Sequence, residues 1–341
     1  MERLGAYLGD VLGGLDGPLE VLQFPSGHSN LTYLLRAGDQ ELVLRRPPHG
    51  AEGIKTGHDM GREFRVLSGL ERVYDKVPRP LHHCEDNSVI GCPFYLMTRL
   101  KGFILRGTKP GIPMPAQRMR GCCQALVDNL VAIHGLDVEA AGLADLGRPA
   151  GYVERQITGW TRRYQNAKTD ELLEMDAIAA WLSQNMPGES GAALIHNDYK
   201  YDNVVLDRED PSRIVGVLDW EMATLGDPLM DLGTSLGYWI EAGDADKLGM
   251  LPFGPTMLPG NLSRLEVAER YALRSGRSID HLLFYYVYAV FKIAVIIQQI
   301  YARFVRGDTQ DPRFSVFGVG VKLLAETGSR ALELGRIDRL W

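Results

Sequence analysis

The chain has 341 residues, of which 45% are hydrophobic and 23% charged, a composition that favours a folded globular protein and argues against a disordered one. Its net charge of −6, without a lysine- or arginine-rich run, argues against nucleic-acid binding, because such binding depends on neutralising phosphates. Residues 1–14 lack a basic segment followed by an apolar one, so we expect no secretory signal and a cytoplasmic protein.

The most apolar segment, residues 282–304, predicts a buried core helix instead of a membrane span, since it is interrupted by Lys292 and contains Gln298, Gln299 and Arg303. We therefore expect no contact with a membrane. The cysteines form no C-x-x-C pair, and no Cys/His cluster has the spacing of zinc ligands. We expect reduced, structural thiols at Cys84, Cys92, Cys122 and Cys123.

The N-terminal part alternates short β-patterned segments with helical ones. Helical spacing of apolar residues predicts helices over 3–12 and 59–70, and β-branched or alternating patterns predict strands over 19–24, 31–36, 41–45 and 94–97. From about Pro115 the patterns are mostly helical, over 116–133, 153–164, 172–184 and 265–274 and again beyond Leu324. The predicted fold class is α+β with two lobes: a small antiparallel-sheet lobe, residues 1–98, and a larger helical lobe, residues 99–341.

Residues 196–203 read His-Asn-Asp-Tyr-Lys-Tyr-Asp-Asn, with His, Asp and Asn at the spacing of a kinase catalytic loop. Two β-patterned segments follow, 204–206 and 214–218, separated by a polar turn that contains Pro211. If this pair folds back as a hairpin, Asn203 and Asp219 meet at its open end. Amide and carboxylate oxygens are the hard ligands that Mg²⁺ prefers. The alternative is that Asp219 caps a loop and Asn203 fills a turn.

On these residues the chain resembles the aminoglycoside phosphotransferase and choline kinase-like enzymes, which share the protein-kinase-like fold. The resemblance covers nearly the whole chain, and its specific pieces are the catalytic loop and Leu-Asp-Trp-Glu at 218–221. Further pieces are the segments 25–30, 42–47, 62–64, 97–99 and 226–232. More narrowly, residues 148–149 and 151–156 with Trp160 resemble the kinase-like domain associated with acyl-CoA dehydrogenases.

The resemblance implies a role for each residue of the loop. Asp198 would accept the proton of a substrate hydroxyl. Lys200 would point its ammonium group at the transferring phosphoryl group, and the alternative is a solvated surface lysine. Asn203 and Asp219 would hold Mg²⁺ on the phosphates. His196 would order the loop, and Asp231 would brace it from a helix of the large lobe.

For the nucleotide, ATP or GTP, the resemblance implies a basic residue on the third strand paired with a helix carboxylate. Alternation from Val43 favours Arg45 over Arg46, with Glu63 as its partner, although either charge has the alternative of being exposed. The phosphate loop has one glycine where protein kinases have G-x-G-x-x-G, so phosphate cover would depend on backbone amides and polar side chains. The loop residues proposed are Ser26, Gly27, Ser29 and Asn30, and the hinge residues beside the base are Met97 and Arg99.

The phosphate acceptor is predicted from charge. Arg155, Arg162 and Arg163 share one helix face, which favours an anionic small-molecule acceptor over a polycationic one, although a merely solvated face is the alternative. Arg155, Arg162 and Glu221 are the predicted substrate residues. The resemblance implies that a hydroxyl of a hydroxy acid or its CoA thioester is phosphorylated, with an acyl-CoA dehydrogenase as functional partner. Two alternatives are an aminoglycoside or choline-like kinase and a catalytically silent, nucleotide-binding scaffold.

A competing motif, G-x-S-x-G at residues 233–237, is typical of the nucleophile elbow of an α/β-hydrolase. An elbow needs a buried strand before its serine, whereas residues 226–232 predict the start of a helix, so a packing role for Ser235 is favoured.

Overall fold

The computed structural model describes residues 2–15, 17–24, 30–48, 58–107 and 111–341. The predicted phosphate-loop residues Ser26, Gly27 and Ser29 lie outside these ranges. The strands are β1 (Glu20–Gln23), β2 (Leu31–Ala37), β3 (Gln40–Arg46), β4 (Pro80–Cys84), β5 (Phe94–Thr98), β6 (Ala193–Ile195), β7 (Val204–Leu206), β8 (Ile214–Val217) and β9 (Thr224–Gly226). The helices are α1 (Glu2–Leu12), α2 (Met60–Leu70), α3 (Asn87–Ile90), α4 (Ala116–His134), α5 (Tyr152–Ala167), α6 (Leu173–Gln184), α7 (Pro228–Gly237), α8 (Ala245–Leu248), α9 (Arg264–Ser275), α10 (Leu282–Val305) and α11 (Phe317–Leu334).

The chain forms two compact units, each assembled from separate stretches. The sheet unit consists of Met1–Gly102, Asp137–Ala144 and Val215–Ala223, and the helical unit of Phe103–Leu136, Asp145–Ile214 and Thr224–Trp341. The predicted boundary between residues 98 and 99 stays a prediction.

The sheet unit contains a five-stranded antiparallel sheet in the order β1-β2-β3-β5-β4. Alternating residues of the strands turn to one face, where α1 covers them with Leu4 and Leu8. Leu8 is fully buried in this cluster with Leu35, Phe94 and Leu96. Burial of this apolar face is what fixes the register of the sheet, because a slip by one residue would turn the face to water.

Helix α2 lies against β4 and β5 of the same unit and begins at a defined cap. The Asp59 carboxylate accepts a hydrogen bond from the backbone N–H of Arg62, which satisfies one of the free donors of the first turn. This cap fixes where the helix starts, and it aims Arg62 and Glu63 from the first turn toward the rest of the unit.

The segment 215–223 joins the sheet unit through its backbone and through a buried tryptophan. The N–H of Val217 donates to the carbonyl of Lys76 at 2.8 Å, and the ring of Trp220, fully buried, meets Tyr74 edge-on. At Gly216 a Cβ atom would lie 2.2 Å from a methyl carbon of Leu100, so only glycine permits this approach. These contacts place Asp219 within the unit that carries β3 and α2.

The helical unit is organised around α10, which packs against α5, α6, α7 and α11. In the described chain α10 is long and apolar enough to cross a membrane by length and composition, but 72% of its apolar window is buried inside the protein. The residues predicted as a possible nucleophile elbow lie within α7, and the Ser235 hydroxyl donates to the Tyr199 carbonyl. The geometry is therefore that of a packed helix and not of an elbow.

A short antiparallel sheet of β6 and β9 precedes two parts of the helical unit: the predicted catalytic loop and the helix that carries Asp231. Ala193 pairs with Gly226 and Ile195 with Thr224, so the loop after β6 and the helix α7 after β9 leave the same small sheet. After β7, the N–H of Asp207 donates to the Arg213 carbonyl and closes the predicted turn. All four cysteines are buried, and none of them forms a disulfide bond.

Candidate active site

The loop after β6 gathers Asp198, Lys200 and Asn203 in the helical unit. The Lys200 Nζ lies 2.7 Å and 2.8 Å from the two carboxylate oxygens of Asp198. The Asn203 Nδ2 donates to the Asp198 Oδ2 at 2.9 Å and to the Asp198 backbone carbonyl at 2.8 Å. All three side chains are at least partly buried, so the carboxylate is held in one orientation by two donors of its own loop.

Asp231 on α7 braces this loop from behind. Its carboxylate accepts the backbone N–H groups of His196 and Asn197, each at 2.7 Å, and lies 3.1 Å from the Nε2 of His134. Burial alone would raise the pKa of Asp231, but the hydrogen bond and charge of His134 and the contacts with His196 lower it. The carboxylate thus stays ionised at 0% exposure and holds two consecutive backbone amides.

His196 is itself fully buried, and its Nδ1 accepts the backbone N–H of Asp198 at 3.3 Å. The imidazole therefore touches the backbone of the loop, in the arrangement expected of a residue that orders it.

Asn197, between His196 and Asp198, has a left-handed backbone with φ of +66°. Asparagine tolerates this conformation better than most residues, but it still needs support from its surroundings. The Tyr152 hydroxyl of α5 donates to the Asn197 Oδ1 at 3.1 Å, and the Lys292 Nζ of α10 donates to the Asn197 carbonyl at 3.1 Å. Two helices and the α7 carboxylate together fix the residue that precedes Asp198.

Lys200 also lies against an aromatic ring at the end of α7. Its Nζ is 4.2 Å from the ring centroid of Tyr238, a favourable position for a cation over a π face. Burial and the neighbouring Asp198 carboxylate raise the pKa of Tyr238 well above its ordinary value. The phenol therefore stays neutral and forms part of the wall beside Asp198.

In the sheet unit, Arg45 is the centre of a cluster of three carboxylates. Its Nε lies 3.2 Å from Glu63 of α2, its Nη2 lies 2.8 Å from Glu221, and the same nitrogen contacts Asp219. Burial alone would lower the pKa of Arg45, but Glu63 and Asp219 raise it well above its ordinary value. Arg46, by contrast, directs its Nε to the carbonyl of Pro47. Alternation along β3 thus turns Arg45 inward, as the sequence predicts.

Asp219 has a left-handed backbone with φ of +68° and begins the short 3₁₀ helix Trp220–Met222. Arg62 of α2 holds the end of this turn, since its guanidinium donates to the carbonyls of Glu221 at 3.0 Å and Ala223 at 2.5 Å. Carbonyls at a helix end have no intrahelical partner, so the half-buried Arg62 guanidinium is an effective cap for them.

Glu221, predicted as a substrate residue, has its observed partners inside the sheet unit. Besides Arg45, its Oε2 accepts a hydrogen bond from the Asn30 Nδ2 at 2.6 Å. The Asn30 Oδ1 in turn lies 2.8 Å from the Nδ1 of His58. Asn30 is the one predicted phosphate-loop residue within the described ranges, and its contacts connect it to the carboxylate cluster of Arg45.

The two predicted hinge residues lie at the end of β5. Met97 is buried within the sheet, and Arg99 pairs with Glu41 at 2.6 Å. The side chain of Arg99 is thus engaged in the sheet unit, and its predicted place beside the base stays a prediction.

The basic face of α5 divides into three environments. Arg155 donates to the carbonyls of Arg148 and Ala150, which tie down the segment before the helix. Arg162 is exposed. Arg163 lies over the Trp160 ring, with its guanidinium carbon 4.6 Å from the ring centroid.

No group of three His, Cys, Asp or Glu residues in the described ranges is arranged to hold a metal by protein ligands alone. The predicted Mg²⁺ ligands fit a different kind of site, in which phosphate oxygens complete the coordination. The Asn203 Nδ2 is engaged by Asp198, which leaves the amide oxygen of Asn203 as a potential metal ligand. Asp219 offers a carboxylate whose side chain is 29% exposed. Each of the two residues thus offers an oxygen of the kind that Mg²⁺ prefers, and a shared metal site stays a prediction.

Several polar residues that contact these loops were not assigned a role by sequence reasoning: Arg62, His134, Tyr152, Tyr238 and Lys292. Only one of them carries a local signal, because a single lysine in a long apolar helix is out of place in the pattern. The others are ordinary residues of amphipathic helices, and their contacts lie far away in the chain.

Residues 20–255 match the phosphotransferase enzyme family. Over 339 residues the chain is 33% identical to acyl-CoA dehydrogenase family member 10 of Mus musculus, covering 95% of this chain and 30% of that protein. Over 326 residues it is 35% identical to acyl-CoA dehydrogenase family member 11 of Gallus gallus, covering 94% and 41%. The chain thus spans less than half the length of these curated relatives.

Among solved structures, a Ralstonia eutropha protein named for the aminoglycoside phosphotransferases is 32% identical, with a TM-score of 0.81 and 98% of each chain covered. A thermostable mutant of aminoglycoside phosphotransferase APH(4)-Ia is 18% identical, with a TM-score of 0.61, and covers 95% of this chain and 99% of its own. The similarity to the APH(4)-Ia structure shows a shared fold alone.

Proposed function

Because the chain belongs to the phosphotransferase enzyme family, we propose that it is a Mg²⁺- and ATP-dependent kinase whose acceptor is a hydroxyl of a small hydroxy acid or its CoA thioester. The observation that carries the proposal is the arrangement of Asp198 with Lys200 and Asn203 in a loop braced by Asp231. A scaffold protein has no need of this charge arrangement, whereas phosphoryl transfer depends on positioning and charge neutralisation.

In the proposed reaction the acceptor oxygen forms a bond to the γ-phosphorus, and the bond from that phosphorus to the β,γ-bridging oxygen breaks, releasing ADP. Asp198 receives the hydroxyl proton as the new bond forms. Lys200 stabilises charge on the transferred group by moving from Asp198 to the phosphoryl oxygens. Bound Mg²⁺ supplies neutralisation of the phosphate charge, and Asn203 and Asp219 are the residues that would hold it. Arg45, kept in place by Glu63, is the proposed contact of the remaining phosphates.

The first experiment measures Mg-ATP-dependent phosphorylation of hydroxy acids, their CoA esters, choline, sugars and aminoglycosides, with Asp198→Asn as the control. We expect turnover of a hydroxy acid or its thioester, and loss of turnover with retained Mg-ATP binding in the variant. Turnover of an aminoglycoside alone would redirect the proposal to antibiotic phosphorylation. Nucleotide binding without turnover of any acceptor would favour a scaffold.

The anionic character of the acceptor is supported by Arg163 more than by Arg155 or Arg162. The Trp160 ring that holds Arg163 also lies 6.0 Å from the Lys292 Nζ, which contacts the catalytic loop at Asn197. Within the described residues Arg163 forms no ion pair with a carboxylate. A fixed, accessible guanidinium on α5, the helix whose Tyr152 contacts Asn197 of the loop, is suited to a carboxylate or phosphate of the acceptor.

Arg163→Gln tests this assignment against Arg162→Gln, a change of the neighbouring exposed arginine. We expect the KM for an anionic acceptor to rise on the order of tenfold in Arg163→Gln, as for loss of one charged hydrogen bond. The KM for ATP is expected to stay the same in both variants. An equal rise for the neutral methyl ester of the acceptor would count against recognition of its charge.

A further inference from the structure

We propose that Lys292 is a positioning residue for catalysis, holding the left-handed backbone of Asn197 so that Asp198 faces the reacting hydroxyl. The inference rests on the proposed phosphoryl-transfer function and assigns a role to the residue that interrupts the apolar helix α10.

The burial of Lys292 calls for a specific reason. Lysine is rarely buried without a partner, because removing an ammonium group from water is costly. Lys292 is only 2% exposed, and no carboxylate in the described part of the chain lies at ion-pair distance from its Nζ. Its hydrogen bonds are instead to the Asn197 carbonyl at 3.1 Å and the Thr234 hydroxyl at 3.5 Å. The Lys292 ammonium group thus donates to the backbone of the catalytic loop.

Lys292 completes a set of contacts to three polar atoms of Asn197: its N–H, its Oδ1 and its carbonyl. Asp231 accepts the Asn197 N–H, Tyr152 donates to its Oδ1, and Lys292 donates to its carbonyl. A left-handed φ in a residue other than glycine persists when the surroundings determine it from several sides. The carbonyl of Asn197 belongs to the peptide unit that leads into Asp198, so its direction sets the direction of the catalytic carboxylate.

Thr234 connects this contact to the brace of the loop. It lies one helical turn after Asp231 on α7, and its hydroxyl donates to the Met230 carbonyl. Lys292 therefore joins α10, α7 and the catalytic loop at one point, and the loop is clamped between a carboxylate on its N–H groups and an ammonium on its carbonyl.

Lys292→Met keeps a long, unbranched apolar side chain, one atom shorter than lysine, and removes the donor. The matched control is Gln298→Met, on the same helix, because the Gln298 amide is also buried and donates to a backbone carbonyl, that of Ala167, at 2.8 Å. Both variants lose a buried donor of α10, and only one of those donors contacts the catalytic loop. A merely structural role predicts equal effects on activity.

We expect Lys292→Met to lower kcat on the order of 100-fold, the loss typical of a misplaced catalytic group. The KM for ATP and the Kd of Mg-ATP are expected to change less than about threefold, since both report binding and not alignment. Gln298→Met is expected to keep wild-type kcat. Ethylammonium added to Lys292→Ala is expected to restore part of the lost kcat, because it returns a donor to the vacated pocket.

An unchanged kcat in folded Lys292→Met, or an equal loss in Gln298→Met, would overturn the inference. Where Lys292→Met fails to fold, Lys292→Gln replaces it under the same criteria, because its side chain is polar but one atom too short to reach the Asn197 carbonyl. Wild type and Asp198→Asn separate the proposed function from this inference. Absence of Mg-ATP-dependent turnover of any acceptor by wild type would overturn the proposed function itself, whereas wild-type turnover that Asp198→Asn abolishes and Lys292→Met leaves normal would overturn this inference alone.

Discussion

At the scale of single residues, Asn197 and Asp219 show how backbone conformation serves the site. Both have a positive φ, and both are adjacent to or part of the predicted catalytic set. Each is supported by a cation from a helix of its own unit: Lys292 holds the carbonyl of Asn197, and Arg62 caps the turn that begins at Asp219. Conformations of this kind cost about 1–3 kcal/mol, so the supporting contacts belong to the site as much as the reactive groups do.

The buried Lys292 should leave a signature in the pH dependence of stability. Burial lowers the pKa of Lys292 from its ordinary value of 10.5 to about 8. Between these pH values the unfolded chain binds a proton that the folded protein has released, so the free energy of unfolding rises with pH. Below pH 8 both states bind the proton, and the cost of the buried charge is present in full.

Wild type is therefore expected to gain stability relative to Lys292→Met as the pH rises from 7.5 to 9.5, by roughly 1.4 kcal/mol for each unit of pH between the two pKa values. Urea unfolding of both proteins at the two pH values measures the change. Gln298→Met serves as the reference, since its difference from wild type should not depend on pH. A constant difference between wild type and Lys292→Met would contradict the lowered pKa.

At the scale of elements, α2 is the part that holds the turn beginning at Asp219, the proposed metal ligand. Its first turn directs Glu63 to Arg45 and Arg62 to the carbonyls of Glu221 and Ala223. Burial raises the pKa of Glu63 although Arg45 opposes the shift, so this carboxylate depends on its arginine partner. Helix α2 thereby connects Arg45 of β3 with the turn that begins at Asp219.

Arg62→Met should loosen the turn that begins at Asp219 and weaken Mg-ATP binding on the order of tenfold or more, the range for loss of hydrogen bonds from a charged donor. Titration calorimetry with Mg-ATP measures the Kd. Arg65→Met, a change of an exposed arginine one turn along the same helix, provides the comparison and should bind as wild type does. Equal affinities of all three proteins would show that Arg62 is not needed for the turn.

Sequence patterns anticipated the elements whose signals are local. Helix α2 follows from its apolar periodicity and the capping residue Asp59, and β3 from its alternation. The strands β4, β6 and β9 were not foreseen, since each contains at most one β-branched residue and none is marked by a clear alternation of apolar and polar residues. The contacts of Glu221 with Arg45, 176 residues away, were equally beyond a local pattern, which is why Glu221 was predicted beside the acceptor.

At the scale of the whole molecule, the chain is one phosphotransferase unit that corresponds to a fraction of its longer relatives, about 30% to 41% of their length in the two described above. Both relatives are named as members of the acyl-CoA dehydrogenase family. We propose that the phosphorylated product of this enzyme is passed to a reaction of the acyl-CoA dehydrogenase class, as the sequence resemblance implies.

Nucleotide binding by the whole molecule can be read from its thermal unfolding. Two equivalent carboxylate-to-amide changes separate binding from chemistry: Asp198→Asn removes the proposed base, and Asp219→Asn removes a proposed metal ligand. Saturating Mg-ATP stabilises a folded protein by about 2.7 kcal/mol at 100 times the Kd. We expect Mg-ATP to raise the Tm of wild type and Asp198→Asn, and to leave that of Asp219→Asn nearly unchanged. A normal shift in Asp219→Asn would remove that residue from the metal site.

The discontinuous make-up of the sheet unit has a consequence for the order of events during synthesis. The first 102 residues leave the ribosome with Arg45 already present, but the carboxylates of Asp219 and Glu221 and the buried ring of Trp220 follow only at residues 219–221. Until then the nascent sheet lacks the Trp220 ring and two of the three carboxylates that contact Arg45, and only Glu63 is present to neutralise its charge. These parts of the sheet unit are thus translated after residues 196–203 of the predicted catalytic loop, and Lys292 of α10 follows later still.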